Sequence, residues 1–145
     1  MGSPESLRWR VANSTTDEQL VAAAHAARSR AWAPISNYYV GAALLADDGT
    51  IVPGCNVEHI ILSLSCCAEQ VAVHAGVVAG HRRFSAVAVV TDSSPPASPC
   101  GSCRQMLYTW GVSRVIMANL AGEVRESTIA ELLPLAFALE GPVGR

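Results

Sequence analysis

No apolar run in the sequence approaches the roughly 20 residues that a membrane-spanning helix needs, and the stretch through Arg10 lacks the apolar core of a secretion signal. Neither a membrane partner nor a secreted fate is therefore expected. Charge is scarce too: 15% of residues are charged, and a net charge of −2 with a pI near 6.0 exerts no pull on nucleic acid or anionic lipid. Arg82-Arg83 is the only basic cluster, too short to track a polynucleotide backbone. No nucleic acid partner is expected, and the ligand class that remains is a small molecule. Internal repeats and linker-like stretches are also missing, so the 145 residues read as a single domain, 1–145, with residues 1–14 as a loose lead-in. Half of the residues are apolar, an ordinary balance with a tilt toward buried or interface surface. Five cysteines, an odd number without a secretion signal, fit reduced thiols in the cytoplasm better than a disulfide framework.

What is present concentrates in two short stretches, Cys67-Ala68-Glu69 and Pro99-Cys100-Gly101-Ser102-Cys103. The first supplies a thiol with a carboxylate two positions on, and the second supplies two thiols at C-x-x-C spacing after a proline. Together they read as a three-cysteine zinc site, one Zn2+ per chain, with Glu69 free beside it. A structural zinc closes with a fourth protein ligand, whereas three ligands leave a position for water, so the pattern points to catalysis. If Cys67 opens the helix suggested by Ala68, Val71, Ala72, Ala75, Val78 and Ala79, the helix N-terminus favours the thiolate that zinc needs. Cys100 and Cys103, in the first turn of a second helix, share one face, and Pro99 suits its start, where a missing N–H costs nothing.

An isolated C-x-x-C reads equally well as a thioredoxin-like redox pair, but a dithiol oxidoreductase has no use for a third thiol and a carboxylate. A structural zinc ribbon needs a second C-x-x-C, which Cys66-Cys67 does not provide. Cys55 and Cys66 are expected in the core as small buried hydrophobes. His25 and His74 fall within helices and His81 in a loop, while His59 adjoins the loop that leads into the first zinc helix.

Along the chain, Ser14-Thr15-Thr16-Asp17 offers N-caps for a helix from about Thr16 to Trp32, stopped before Pro34. Val40 to Ala46 and Thr50 to Cys55 read as a hairpin turning at Asp47-Asp48-Gly49. After a loop over 56–66, the first zinc helix ends near Gly80. Ala86 to Val90 is a buried strand, Ser93 to Ser98 a proline-rich loop, and the second zinc helix ends near Gly111. Arg114 to Ala118 and Glu123 to Glu126 complete the strands, and Thr128 to Leu133 is a short helix. A hairpin followed by strands alternating with helices predicts an α/β fold, a mixed five-stranded sheet covered by helices on both sides.

A metal ligand two residues before a glutamate, followed by Pro-Cys-x-x-Cys, is the known signature of zinc nucleobase deaminases. At these residues the sequence resembles the cytidine deaminase family, in its homotetrameric three-cysteine branch. The resemblance continues through Ala33-Pro34-Ile35-Ser36-Asn37-Tyr38-Tyr39-Val40-Gly41-Ala42-Ala43, Gly54-Cys55-Asn56-Val57-Glu58, Cys103-Arg104-Gln105 and Glu131-Leu132-Leu133-Pro134, roughly residues 31 to 137. It implies a three-layer α-β-α sandwich, a homotetramer, and zinc-dependent hydrolytic deamination of a pyrimidine nucleoside. It also implies roles: Cys67, Cys100 and Cys103 on zinc, Glu69 as proton carrier, and Asn56 and Glu58 on the ribose hydroxyls. Tyr38 stands where the family stacks a phenylalanine on the base, backbone groups near Ala68 and Ser98 hold the ring, and Gln70 and Arg104 stand behind the ligands.

The departures from the family pattern are specific. Gln70 replaces an arginine that is hydrogen-bonded to the thiolates, keeping donors but no charge. Ile35 replaces a tyrosine, and Ile60, Ile61 and Leu62 replace small or polar residues, including an aromatic that reaches a neighbour's site, so a bulkier, more apolar rim is expected. His59 and the missing arginine also resemble blasticidin-S deaminase, a relative of the same fold, against which Glu58 argues because that relative has a tyrosine there.

Overall fold

The computed structural model describes residues 17–139. The lead-in and the cap at Ser14 to Thr16 lie outside the described residues. Helix α1 covers residues 17–28. It is followed by strands β1 (Gly41–Ala46) and β2 (Ile51–Cys55), a single 3-10 turn (Leu62–Leu64), helix α2 (Ala68–Val78) and strand β3 (Phe84–Thr91). Helix α3 (Gly101–Thr109), strands β4 (Arg114–Asn119) and β5 (Val124–Thr128) and a short α4 (Ile129–Leu132) complete the order. The sheet runs β2-β1-β3-β4-β5, with β3 and β4 parallel and every other neighbouring pair antiparallel.

Strand alternation builds the layers. On β3, Ala86, Ala88 and Val90 face one side, with Ile116 and Ala118 of β4 beside them, and this face of small side chains receives Leu20 and Ala24 of α1. Val87, Val89, Val115 and Met117 point the other way, into a core shared with Ala72 and Val73 of α2, Leu107 of α3 and Ile129 of α4. Helices thus cover both faces of a mixed five-stranded sheet. No helix among the described residues is long and apolar enough to cross a membrane.

Two boundaries differ from expectation for long-range reasons. The first helix stops at residue 28 rather than Trp32. Ser29 Oγ turns back onto the Ala26 carbonyl at 2.7 Å, and the Trp32 backbone is spent on the segment after β2, accepting from Glu58 N–H at 2.8 Å and donating to the Asn56 carbonyl at 2.9 Å. Pro99 lies outside the second zinc helix: Cys100 is its N-cap, with extended backbone at φ −66° and ψ 168°, so only Cys103 sits in the first turn. Cys55 is a half-buried residue of the edge strand β2 and not a core cysteine.

The sheet holds the first zinc helix at very short range. A Cβ added at Gly54 of β2 would stand 2.5 Å from both the Ala68 carbonyl and the Ala72 backbone nitrogen of α2, closer than real Cβ contacts come. Since those neighbours are backbone, Gly54→Ala must push the helix away from the sheet. It is expected to cost about 2–3 kcal/mol, the upper part of the range for overpacked sites, measured as a fall in the urea midpoint. An unchanged midpoint would show that α2 can retreat freely.

Candidate active site

The two stretches singled out in the sequence meet at the N-termini of α2 and α3. Cys67 is the N-cap of α2 in extended backbone, and its N–H donates to Gln70 Oε1 at 2.9 Å, which locks the turn that presents the thiol. Gln70 therefore holds the backbone of a ligand through its carbonyl oxygen. Cys100, the N-cap of α3, and Cys103 in its first turn complete a cluster whose three Sγ atoms lie within 4.8 Å of one another, with Cys67 and Cys100 sulfurs 4.0 Å apart. Sulfurs around a tetrahedral zinc at about 2.3 Å stand roughly 3.8 Å apart. The donor set and its spacing fit that ion.

A hydrogen bond from Cys103 brings the Cys67 thiol down to about 7, while that shared bond, with burial, pushes Cys103 far up. Three sulfurs this close cannot all ionise alone, and a dication removes the conflict.

Glu69 follows in the first turn of α2 and is buried, with 4% of its surface exposed. Burial pushes its carboxyl pKa up, against smaller lowering effects from its own backbone N–H and from Cys103. A carboxyl so placed holds a proton to higher pH than a solvated one does.

A cavity of about 370 Å³, within the range of small-molecule sites, opens beside the cluster. Its wall brings together Tyr38, Asn56, Glu58, Ala68, Glu69 and Ser98, together with Cys67 and Cys100. Cys103, Gln70 and Arg104 are outside that wall. The Arg104 side chain makes its hydrogen bonds elsewhere than on the thiols: it donates to the Pro99 carbonyl, the Leu132 carbonyl and Ser98 Oγ, each at 2.7 Å, and so ties the loop before Cys100 to α4.

Asn56 and Glu58 are already braced. Asn56 Oδ1 accepts from Val40 N–H at 2.8 Å and Nδ2 donates to the Tyr38 carbonyl at 2.7 Å, which leaves one amide N–H for a ligand. The Glu58 carboxylate accepts from the N–H groups of Ile35 at 2.9 Å and Ser36 at 3.0 Å and from the Ser36 hydroxyl, which together hold its pKa below the usual carboxylate range. Asn56 thus keeps one N–H and one oxygen lone pair, and Glu58 one acceptor site, beside each other on the wall.

Several expectations are corrected here. Cys66 is half-buried and lines the cavity instead of filling the core. Ile35, Ile60, Ile61 and Leu62 are exposed on the surface and line none of the cavity. His59 is likewise exposed and off the wall, its N–H donating to Ser65 Oγ. Sequence reasoning missed Ser36, whose hydroxyl meets both Glu58 and the Tyr38 N–H; its place two residues before an aromatic was the only available signal. It also missed Thr91 and Ala97 on the wall, for which the sequence carries none.

Comparison with known proteins places this geometry. Residues 14–119 match the family described as the cytidine and deoxycytidylate deaminase zinc-binding region. The chain is 47% identical over 125 residues to a cytidine deaminase of Sporosarcina psychrophila, covering 85% of this chain and 92% of that one. The structure superposes on the crystal structure of a cytidine deaminase from Burkholderia pseudomallei with a TM-score of 0.79 at 44% identity, covering 83% of this chain and 98% of that one. A blasticidin-S deaminase of Bacillus cereus is more distant, 27% identical over 110 residues that cover 70% of this chain and 79% of that one. With three thiols at metal spacing and a buried glutamate beside them, on a sheet that matches these proteins along most of its length, the chain belongs to the zinc-binding cytidine and deoxycytidylate deaminase family.

Proposed function

We propose that the chain is a zinc-dependent hydrolase that converts a cytosine nucleoside and water into the uracil nucleoside and ammonia. The observation that carries this reading is what the cavity wall holds: Cys67 and Cys100 of the three-thiol cluster, buried Glu69 and the Asn56–Glu58 pair, with no Lys, Arg or His among the described residues that line it. Cys67, Cys100 and Cys103 would hold one zinc, which supplies a water acidic enough to yield hydroxide near neutral pH. Glu69 accepts the proton of the attacking water, delivers it to ring N3 so that C4 becomes electrophilic, and later protonates the departing amine. The Ala68 N–H, at the first turn of α2 where no intrahelical partner exists, is free to donate to the ring carbonyl, and the Ser98 carbonyl accepts from the amine. Tyr38 offers its face to the base.

The braced pair suits a ribose hydroxyl, which donates to Glu58 and accepts from Asn56. A wall that carries two carboxylates and no cation disfavours a phosphorylated substrate. Cytidine is therefore expected to be deaminated with a kcat/KM at least about 10²-fold above that of deoxycytidylate, the gap that several kcal/mol of like-charge repulsion produces. Glu58→Ala is expected to impair cytidine far more than free cytosine. Ammonia release from a panel of cytosine, cytidine, deoxycytidine, deoxycytidylate and blasticidin S decides, and efficient turnover of deoxycytidylate or blasticidin S alone would sink the nucleoside assignment. A redox role for the Cys100–Cys103 pair predicts instead no ammonia from any of them.

The same reading extends to the setting of the enzyme: one domain, in the cytoplasm, serving pyrimidine salvage, as a homotetramer. The support for assembly is the exposed apolar set Trp32, Ile60, Ile61 and Leu62 around the 56–66 loop, 63%, 96%, 63% and 67% exposed, which a second copy would cover.

A further inference from the structure

We propose that Ser93 is a positioning residue that fixes the aromatic wall of the cavity through the hydroxyl of Tyr38. The inference rests on the nucleoside reading for its kinetic consequence and on geometry alone for the positioning itself. Tyr38 is on the cavity wall and 37% exposed, and its hydroxyl meets Ser93 Oγ at 2.6 Å across 55 residues of sequence. The backbone on both sides of the ring is pinned to the sugar-binding pair or to what braces it: Tyr38 N–H donates at 3.0 Å to Ser36 Oγ, which also meets Glu58, and its carbonyl accepts from Asn56. The far end of the ring has Ser93 as its recorded hydrogen-bond partner among the described residues.

Ser93 is itself held independently of its hydroxyl. Its N–H donates to Thr91 Oγ1 at 3.2 Å, and its carbonyl accepts from Nδ2 of buried Asn119 at 3.0 Å. Asn119 Oδ1 in turn accepts from the N–H groups of Ala121 and Glu123, and Glu123 Oε1 accepts from Ser94 Oγ at 2.8 Å. The loop after β3 is thereby anchored to the β4–β5 turn, and the Ser93 hydroxyl carries that anchorage to the ring. Removing the hydroxyl frees the ring without freeing the loop. A half-exposed ring left free must be ordered each time a base stacks on it, a cost charged to binding and not to proton transfer.

The test combines kinetics with the state of the ring. Ser93→Ala and Tyr38→Phe are each expected to raise KM for cytidine about 3- to 10-fold, the equilibrium worth of one net hydrogen bond, with kcat within about twofold. The double variant should be no worse than either single one, since one bond is lost once. Ser93→Thr, which keeps the hydroxyl, should restore the parent KM. The chain has three tyrosines, so 13C-labelled ring signals can be assigned by substitution. The Cζ signal of Tyr38, the carbon that bears the hydroxyl, should stand at the same position in the parent and in Ser93→Thr and move in Ser93→Ala. Unchanged ring signals, an unchanged KM, or a double variant whose effect is the product of the two singles overturns the role of Ser93. Should the zinc-loaded parent neither bind nor deaminate any cytosine nucleoside, the proposed function falls, and the ring signals still decide whether Ser93 positions Tyr38.

Discussion

Glu69→Gln is expected to fold, to hold its zinc, and to deaminate cytidine at least about 10²-fold more slowly than the parent, within the 10²–10⁴-fold typical of general acid–base groups. The amide matches the carboxylate in size, so the first turn of α2 keeps its packing, and the three thiols keep their places at the two helix ends. What disappears is the capacity to accept a proton. In the proposed mechanism Glu69 moves protons twice in one turnover, to ring N3 and to the leaving amine, and an amide does neither. Its burial sharpens the expectation, because little water reaches the position to substitute as a carrier. Metal analysis together with single-turnover kinetics checks both halves. A variant that retains zinc and activity within a few-fold of the parent would remove Glu69 from the proton path.

Cys100→Ala should abolish activity by a different route, through loss of the metal. Of the three thiols it gives the cleanest test, since Cys100 is exposed while Cys103 is fully buried and its removal would open a cavity in the core. The backbone of Cys100 is already extended as an N-cap, and no side-chain cap bond is made there, so alanine leaves the start of α3 intact. With two thiols remaining, the expected content of purified protein falls from one zinc per chain to a small fraction, with far-UV circular dichroism unchanged. Full zinc occupancy in a folded variant would exclude Cys100 from the site. Read beside Glu69→Gln, the pair separates holding the ion from using it: one variant keeps metal without turnover, the other keeps neither.

What the sequence made legible was whatever is written locally. Cys67, Glu69, Cys100 and Cys103 stood out because their chemistry demands particular residue types at short spacing, and the hairpin at Asp47-Asp48-Gly49 because its turn needs a positive φ, found at Gly49 as +89°. The strands were legible in their centres and blurred at their ends. What escaped was written in partners far along the chain. The first helix was expected to reach Trp32 because nothing nearby announces that Asn56 and Glu58 claim its backbone. The bracing of Glu58 was not legible because Ile35 and Ser36, which occupy most of its carboxylate, are more than twenty residues away. Cys66 and the Ile60–Leu62 run were misplaced because their loop has no period from which to read which side chain faces the cavity.

The arrangement of the thiols has an entropic side. Cys67 and Cys100 are 33 positions apart, and they stand 4.0 Å from each other because β1, which pairs with β2 under α2, also pairs with β3, which leads into α3. A loose chain that used an ion to bring those two sulfurs together would have to close that loop itself, at about 3–4 kcal/mol by the usual loop-closure relation. The folded sheet has closed it in advance. The ion therefore prefers the ordered chain over the loose one by that margin, and its residence on the protein is a measure of whether the two halves of the sheet have found each other.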